Sequence, residues 1–271
     1  MPPKAESRIL LVLVAAALVG CSDNPIGPAS PNVPDVAALL AEMSSSTLSS
    51  AAVIASPRIG PSVNASSVDP GTCQYSATSG FFECATVTIN GLTFTRSFRL
   101  IDDAGNSQSK PDIHTSALET KTTVDGTIST TTPASPGGIS TSSNYSLHGN
   151  SDETLSGVRT NTHTLNGTSL TSMKGTFEVG TDVFPIDQTV DETTTNLVLP
   201  NAKAGQRWPQ SGTITIETML GTDASSGSAK MQMTFNGTSV VTITSTSLAG
   251  TITCHVDLAN PIGGLSSCTT G

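Results

Sequence analysis

The sequence predicts a mainly β, all-β fold: a single antiparallel sheet of consecutive hairpins over residues 68–271, with one short amphipathic helix before it. Two observations predict this fold class. From about residue 70 onward, short runs rich in Thr, Val, Ile and Phe are separated by Asn-Gly, Asp-Gly and Gly-Gly pairs, which favour tight turns. Within several of these runs apolar and polar residues alternate, as expected for strands with one buried face. A half-barrel, a closed barrel and a sandwich are all compatible with such a sheet.

The N-terminal segment has the features of an export signal. A short polar start carries Lys4 and Arg8, and an apolar run over residues 9–19 ends at Gly20. This run is too short to span a bilayer, which takes roughly 20 residues, and it is typical of a signal peptide. We therefore expect residues 1–20 to be removed on export.

The next feature is the tetrapeptide Leu18-Val19-Gly20-Cys21, which resembles the lipobox of bacterial lipoproteins. The resemblance covers residues 1–21. It implies that Cys21 is diacylated on sulfur, becomes the new N-terminus and anchors the protein in the cell envelope. Because Ser22 rather than Asp follows, the family's sorting pattern implies the outer membrane where the source has one. The alternative is an ordinary secretory signal followed by a chance cysteine.

Between Cys21 and the sheet we expect a tether and then a helix. Residues 21–34 carry four prolines and no apolar periodicity, so the predicted tether is extended at roughly 3 Å per residue. Residues 35–67 are predicted to form a helix and a linker. The helix covers residues 35–43, where apolar residues recur at helical spacing: Val36, Leu39, Leu40 and Met43. We expect this apolar stripe to pack on the β-domain.

The first Asn-Gly pair predicts the register of a hairpin. If Asn90 and Gly91 form a two-residue turn, facing residues have numbers that sum to 181. One face is then almost wholly apolar, but it includes Arg96 and also Glu83, opposite Phe98. Because a lone buried guanidinium is costly, we predict an ion pair between Arg96 and Glu83. The alternatives are a bulge that turns Arg96 into solvent, and a cavity in which Arg96 meets an anionic ligand headgroup.

Two later Asn-Gly pairs, at residues 166–167 and 236–237, predict further turns. Four apolar residues around the second of these turns are expected on one face: Met231, Met233, Phe235 and Val240. Between the first and last hairpins, residues 106–196 are polar on both predicted faces. Either a long projecting hairpin or a loose loop fits that middle segment.

The only tryptophan, Trp208, lies in a predicted loop over residues 201–212 that returns the chain to a strand at Thr213. We expect its side chain to plug one end of the core. Exposure as a platform on which a ligand stacks is the alternative.

Assigning Cys21 to the lipid leaves an even set of four cysteines, which outside the cytosol indicates disulfides. Three connectivities are possible. We predict Cys73 with Cys84 and Cys254 with Cys268, because each pair flanks a short turn-rich segment. A zinc site is not predicted, since Cys-x-x-Cys spacing is absent and a single histidine adjoins a cysteine.

The net charge and the sequence motifs limit the classes of function that the protein can have. The formal net charge is −9 at pH 7, whereas nucleic acids and anionic lipid headgroups require clustered Lys and Arg. The sequence lacks the motifs of serine hydrolases, zinc proteases, phosphate-binding loops and dinucleotide-binding folds. We therefore predict no catalytic residue, no cofactor and no metal ligand. The acidic residues within 182–192 lack the tight spacing of a calcium loop, so a solvated acidic rim is preferred over a calcium site.

These observations predict a membrane-tethered, exported lipoprotein with a non-enzymatic binding or structural role. Its candidate ligand-binding residues are Arg96, Glu83 and Trp208, and its partner is an apolar small molecule or a protein. The alternative is a carrier that holds a lipid or another apolar ligand in a half-barrel. A helix followed by a long sheet on a lipidated tether is similar to the lipoprotein-sorting carriers of the outer membrane, by analogy alone. An enzyme is the third hypothesis, which polar groups converging in a cleft would favour.

Overall fold

A computed structural model describes residues 73–132, 140–199, 205–222, 225–248, 250–259 and 265–270. These residues form strands and their connections. Among them no helix is long and apolar enough to cross a membrane. The predicted signal segment, Cys21, the tether and the helix over residues 35–43 lie outside the described residues.

The described part contains fourteen strands, which pair in one sheet. Their bounds are β1 Gln74–Tyr75, β2 Phe82–Glu83, β3 Val87–Ile89, β4 Leu92–Asp102, β5 Ser107–Gln108, β6 Thr115–Thr132, β7 Thr141–Ser156, β8 Thr164–Val179, β9 Asp182–Val198, β10 Ser211–Thr222, β11 Ser225–Phe235, β12 Val240–Ser247, β13 Gly250–Asp257 and β14 Leu265–Thr270.

The strands follow the chain across the sheet in the order β1-β2-β4-β6-β7-β8-β9-β10-β11-β12-β13-β14, with β3 and β5 also paired to β4. Every pairing is antiparallel. The prediction of a single antiparallel sheet of consecutive hairpins is therefore confirmed. β1 and β14 lie at the two ends of this order and do not pair, so the sheet is open and the closed barrel is not adopted.

One face of the sheet, here called the inner face, carries the main hydrophobic core. A row of leucines crosses four neighbouring strands in register on this face: Leu100, Leu118, Leu155 and Leu165. All four side chains are fully buried. Apolar side chains from the connections also pack on this core, among them Val158, Leu199 and Trp208. Trp208 thus packs against the core rather than standing exposed.

The polar middle of the chain forms the longest strands, β6 to β9. The register between β6 and β7 is unbroken from Ala117↔Ser156 to Thr132↔Thr141. Four inner-face residues of these strands form a second buried cluster: Val124, Tyr145, Leu147 and Met173. The middle therefore forms long hairpins rather than a loose loop, and the expectation that both of its faces are polar is wrong for the inner face.

The predicted turn at Asn166 and Gly167 is wrong, because both residues lie within β8. The pairing of β8 with β9 shifts between Leu165 and Gly167, which marks a β-bulge. Asn166 Oδ1 accepts a hydrogen bond from the backbone N–H of Asn196 at 2.7 Å. A Cβ at Gly167 would lie 2.7 Å from the carbonyl oxygen of Asp152, so the close approach of β7 requires glycine.

Asn236 and Gly237 lie in a turn, as predicted, but the loop between Phe235 and Val240 is longer than two residues. The three predicted inner-face residues before the turn are buried: Met231, Met233 and Phe235. Val240 is a wrong assignment, since Val241 takes the inner-face position and is fully buried. A two-residue turn would pair Met233 with Val240, whereas the longer loop pairs Met233 with Ile243. This shift of three residues is odd, so it exchanges the two faces of the second strand.

Both predicted disulfides are present, with S–S distances of 2.11 Å for Cys73–Cys84 and 2.10 Å for Cys254–Cys268. The first joins the residue before β1 to the residue after β2. The second joins facing residues of β13 and β14. Each disulfide therefore ties a terminal strand of the sheet to its neighbour.

Candidate functional site

The hairpin around the first Asn-Gly turn keeps its predicted register in β3 but not in β2. Over β3, every pair with β4 sums to 181, as predicted. Beyond residues 84–86 the pairing shifts by one, so that Phe82 faces Phe98 and Glu83 faces Ser97. The shift places Phe82 on the inner face, where its ring stacks on Phe98 with centroids 4.7 Å apart.

The predicted ion pair between Arg96 and Glu83 is wrong, because the shift moves Glu83 to the outer face. Glu83 is exposed, and its Oε1 accepts a hydrogen bond from Ser79 Oγ at 3.2 Å. Arg96 does stay on the inner face, partly buried between Phe94 and Phe98. The predicted face of Arg96 is therefore confirmed, whereas its predicted partner is wrong.

The charge that compensates Arg96 is Glu153, on β7. Burial lowers the pKa of Arg96, and the Coulomb interaction with Glu153 acts in the opposite direction. Glu153 is itself only 7 % exposed. Its strand is separated from that of Arg96 by β6, so the two charges interact across the intervening strand. The guanidinium of Arg96 remains protonated at neutral pH.

Arg96 and Glu153 belong to a band of polar side chains across the inner face, here called the polar belt. The strand register places its members in two adjacent rows. The first row, on β4 and β6–β9, is Arg96, Thr122, Ser151, Ser169 and Glu192. The second row, one step toward the main core, is Thr120, Glu153 and Thr194. The second row is buried, whereas four of the five residues in the first row are partly exposed.

The polar belt separates the main core from the second buried cluster. On one side lies the leucine row, and on the other lies Val124 with its neighbours. Within the belt, Ser151 is 8 % exposed and its Oγ is buried without a hydrogen-bond partner. An unsatisfied buried hydroxyl costs free energy, so the polar belt lowers the stability of the sheet at Ser151.

The histidines lie away from the polar belt. His148 and His255 project from the outer face of β7 and β13, and His114 and His163 lie in connections. His148 pairs with Asp125 on the outer face. A histidine is the usual proton carrier near neutral pH, so the belt offers hydroxyl and carboxylate contacts rather than a histidine-based acid–base pair.

The acidic residues of 182–192 are divided between the two faces. Asp187 and Asp191 lie on the outer face of β9, whereas Glu192 belongs to the polar belt. Within the described ranges, no group of three or more His, Cys, Asp or Glu residues is placed to hold a metal ion.

A charged network on the outer face is absent from the sequence predictions. Arg99 Nη2 lies 2.5 Å from Glu119 Oε2, and Lys121 Nζ lies 2.8 Å from Asp152 Oδ2. The cations of Arg99 and Lys121 lie 5.2 and 5.5 Å from the ring centroid of Phe81. The hydrogen bond that Lys121 donates to Asp152 raises the pKa of Lys121. These partners come together only through the register of β4, β6 and β7, which no local motif encodes.

Comparison of the chain with protein-family models, with curated proteins and with solved structures finds no match in any of the three.

Proposed function

We propose that the protein is an exported lipoprotein, tethered to a membrane through a lipid on Cys21, with a non-enzymatic binding role. The tether rests on the lipobox-like residues 18–21 and the apolar run before them. The binding role rests on the polar belt, and above all on the four residues of its first row that are partly exposed: Arg96, Thr122, Ser169 and Glu192.

The polar belt is a poor way to stabilise a sheet. A buried ion pair is commonly no more stabilising than apolar side chains of similar volume. The inner face has apolar residues on both sides of the belt. If the belt positions were apolar as well, the inner face would be continuously apolar and no charged side chain would be desolvated there. Contact with a ligand explains why the residues at these positions are polar.

The charge balance of the polar belt defines the ligand class. One guanidinium, Arg96, stands against two carboxylates, Glu153 and Glu192, which leaves a formal charge of −1. The remaining side chains are hydroxyls, which both donate and accept hydrogen bonds. This balance favours a neutral, hydroxyl-rich group or a cationic group, and it disfavours the anionic headgroup considered from the sequence.

The proposed ligand class is tested by calorimetric titration of the exported chain with neutral sugars, polyamines and sugar acids. Neutral or cationic compounds should bind, and Ser169→Ala and Glu192→Gln should each weaken binding by about tenfold or more. Thr168→Ala is the matched control, because Thr168 neighbours Ser169 on the exposed outer face. Binding by sugar acids alone, by none of the compounds, or with equal sensitivity to Thr168→Ala would contradict the proposal.

A carrier of an apolar ligand in a half-barrel is the second candidate. The specific observation that favours it is the second buried cluster, which borders the polar belt on the same open sheet. An amphiphile could then place its polar group on the belt and its apolar part on the cluster. Lipid extraction of protein purified from its host distinguishes the candidates, since a carrier retains an amphiphile in stoichiometric amount.

A further inference from the structure

Among the described residues, five of the six large apolar side chains that are at least half exposed lie at one end of the sheet. The hairpins β8–β9, β10–β11 and β12–β13 all turn at this end, here called the hairpin end. Four of its apolar side chains are 50–59 % exposed: Val183, Phe184, Met219 and Leu220. Leu248, at the turn between β12 and β13, is 90 % exposed. Three successive hairpins therefore end on apolar side chains in water.

These side chains lie on both faces of the sheet. Val183 and Phe184 are consecutive in β9, so they project to opposite faces, and Met219 and Leu220 do the same in β10. Phe184 faces Phe177 of β8, which extends the apolar surface on the inner side. A protein docked on a sheet covers one face. Covering both faces of several hairpin ends at once requires a medium that surrounds them, as the interfacial region of a lipid layer does.

The charges near the hairpin end select the type of lipid. Glu178 and Asp182 lie beside the β8–β9 turn. Lys174 Nζ lies 3.7 Å from Asp187 Oδ2. Carboxylates outnumber cations in this group, so an anionic headgroup would be repelled. A zwitterionic surface imposes no such penalty.

We infer that the hairpin end inserts shallowly into a zwitterionic lipid surface, which gives the protein a second membrane contact besides the lipid on Cys21. The availability of a membrane within reach of the chain rests on the proposed tether. The insertion itself depends only on the five exposed apolar side chains, and it is measurable without the lipid.

The test uses residues 21–271 carrying Cys21→Ser, so that no lipid anchor contributes to binding. Sedimentation with phosphatidylcholine vesicles should carry the protein into the pellet, and added phosphatidylglycerol should not strengthen the binding. Phe184→Ser should weaken vesicle partitioning by about tenfold, because a half-exposed ring no longer transfers into lipid. Ile113→Ser is the matched control: Ile113 is 53 % exposed and lies before β6, at the opposite end of the sheet.

A second measurement uses a substitution that retains a large aromatic side chain at the hairpin end. Phe184→Trp places a fluorophore at the hairpin end, and brominated phosphatidylcholine should quench it while Trp208, packed on the main core, is unaffected. Failure to sediment with vesicles, or equal binding by Phe184→Ser, would overturn the inference. So would an oligomer that Phe184→Ser dissociates, since the hairpin end would then bind a second copy of the chain. An unlipidated Cys21 in the host would refute the tether and leave this result standing.

Discussion

Replacing Glu153 by Gln tests the charge balance of the polar belt while keeping the shape of the side chain. The substitution leaves the guanidinium of Arg96 on the inner face without its compensating carboxylate. Removing one partner of a fully buried pair costs about 3–5 kcal/mol. Because Arg96 is only partly buried, we expect the lower free-energy cost of about 2 kcal/mol. For a domain of this size, that cost lowers the melting temperature by about 4–8 °C.

The assay is urea unfolding followed by the fluorescence of Trp208, which reports on the main core. The double variant Arg96→Met/Glu153→Met should lie within about 1 kcal/mol of the parent protein, since it removes both charges together. Two results would refute the reasoning: a Glu153→Gln variant as stable as the parent, or a double variant whose cost equals the sum of the two single substitutions.

Three further predictions concern stability. Leu155→Ala, at a fully buried position, should lower the free energy of unfolding by about 3 kcal/mol in urea titrations. Leu248→Ala, at the most exposed large apolar position of the described residues, should change it by no more than about 0.5 kcal/mol. Replacing Cys254 and Cys268 by Ser should cost about 3 kcal/mol in the same assay, because the disulfide closes a loop of sequence separation 14 in the unfolded chain. Burial raises the pKa of Tyr145 above 10.0, so its contribution to stability is fully present below that pH and is lost as the pH rises through the folded-state pKa. Tyr145→Phe should therefore reduce the loss of stability between pH 9 and pH 12, and an unchanged alkaline loss would contradict the burial of the phenol.

The sequence predicts those parts of the fold that local chemistry specifies. Alternating residues next to the first Asn-Gly turn give the register of β3 with β4, and paired cysteines around short segments give both disulfides. Turn chemistry alone cannot distinguish a turn from a bulge. Asn166 and Gly167 occupy a bulge inside β8, because the close approach of β7 has the same requirement for glycine as a tight turn.

A one-residue shift explains most of what the sequence could not give about the candidate site. The register with β4 changes by one residue across residues 84–86, between β2 and β3. Glu83 therefore lies on the outer face. The partner that replaces it, Glu153, lies on a strand more than fifty residues later, and only the sheet register brings it near Arg96. In the Ser- and Thr-rich residues 106–196, apolar and polar residues alternate too weakly to predict that Tyr145 and Leu147 face inward.

The measurement that tests the proposed tether most directly is mass spectrometry of the N-terminal peptide, from protein extracted out of the membrane fraction of its native host. The proposed function predicts that Cys21 is the first residue and carries a diacylglyceryl group on sulfur. A different first residue, or an unmodified Cys21, would contradict it.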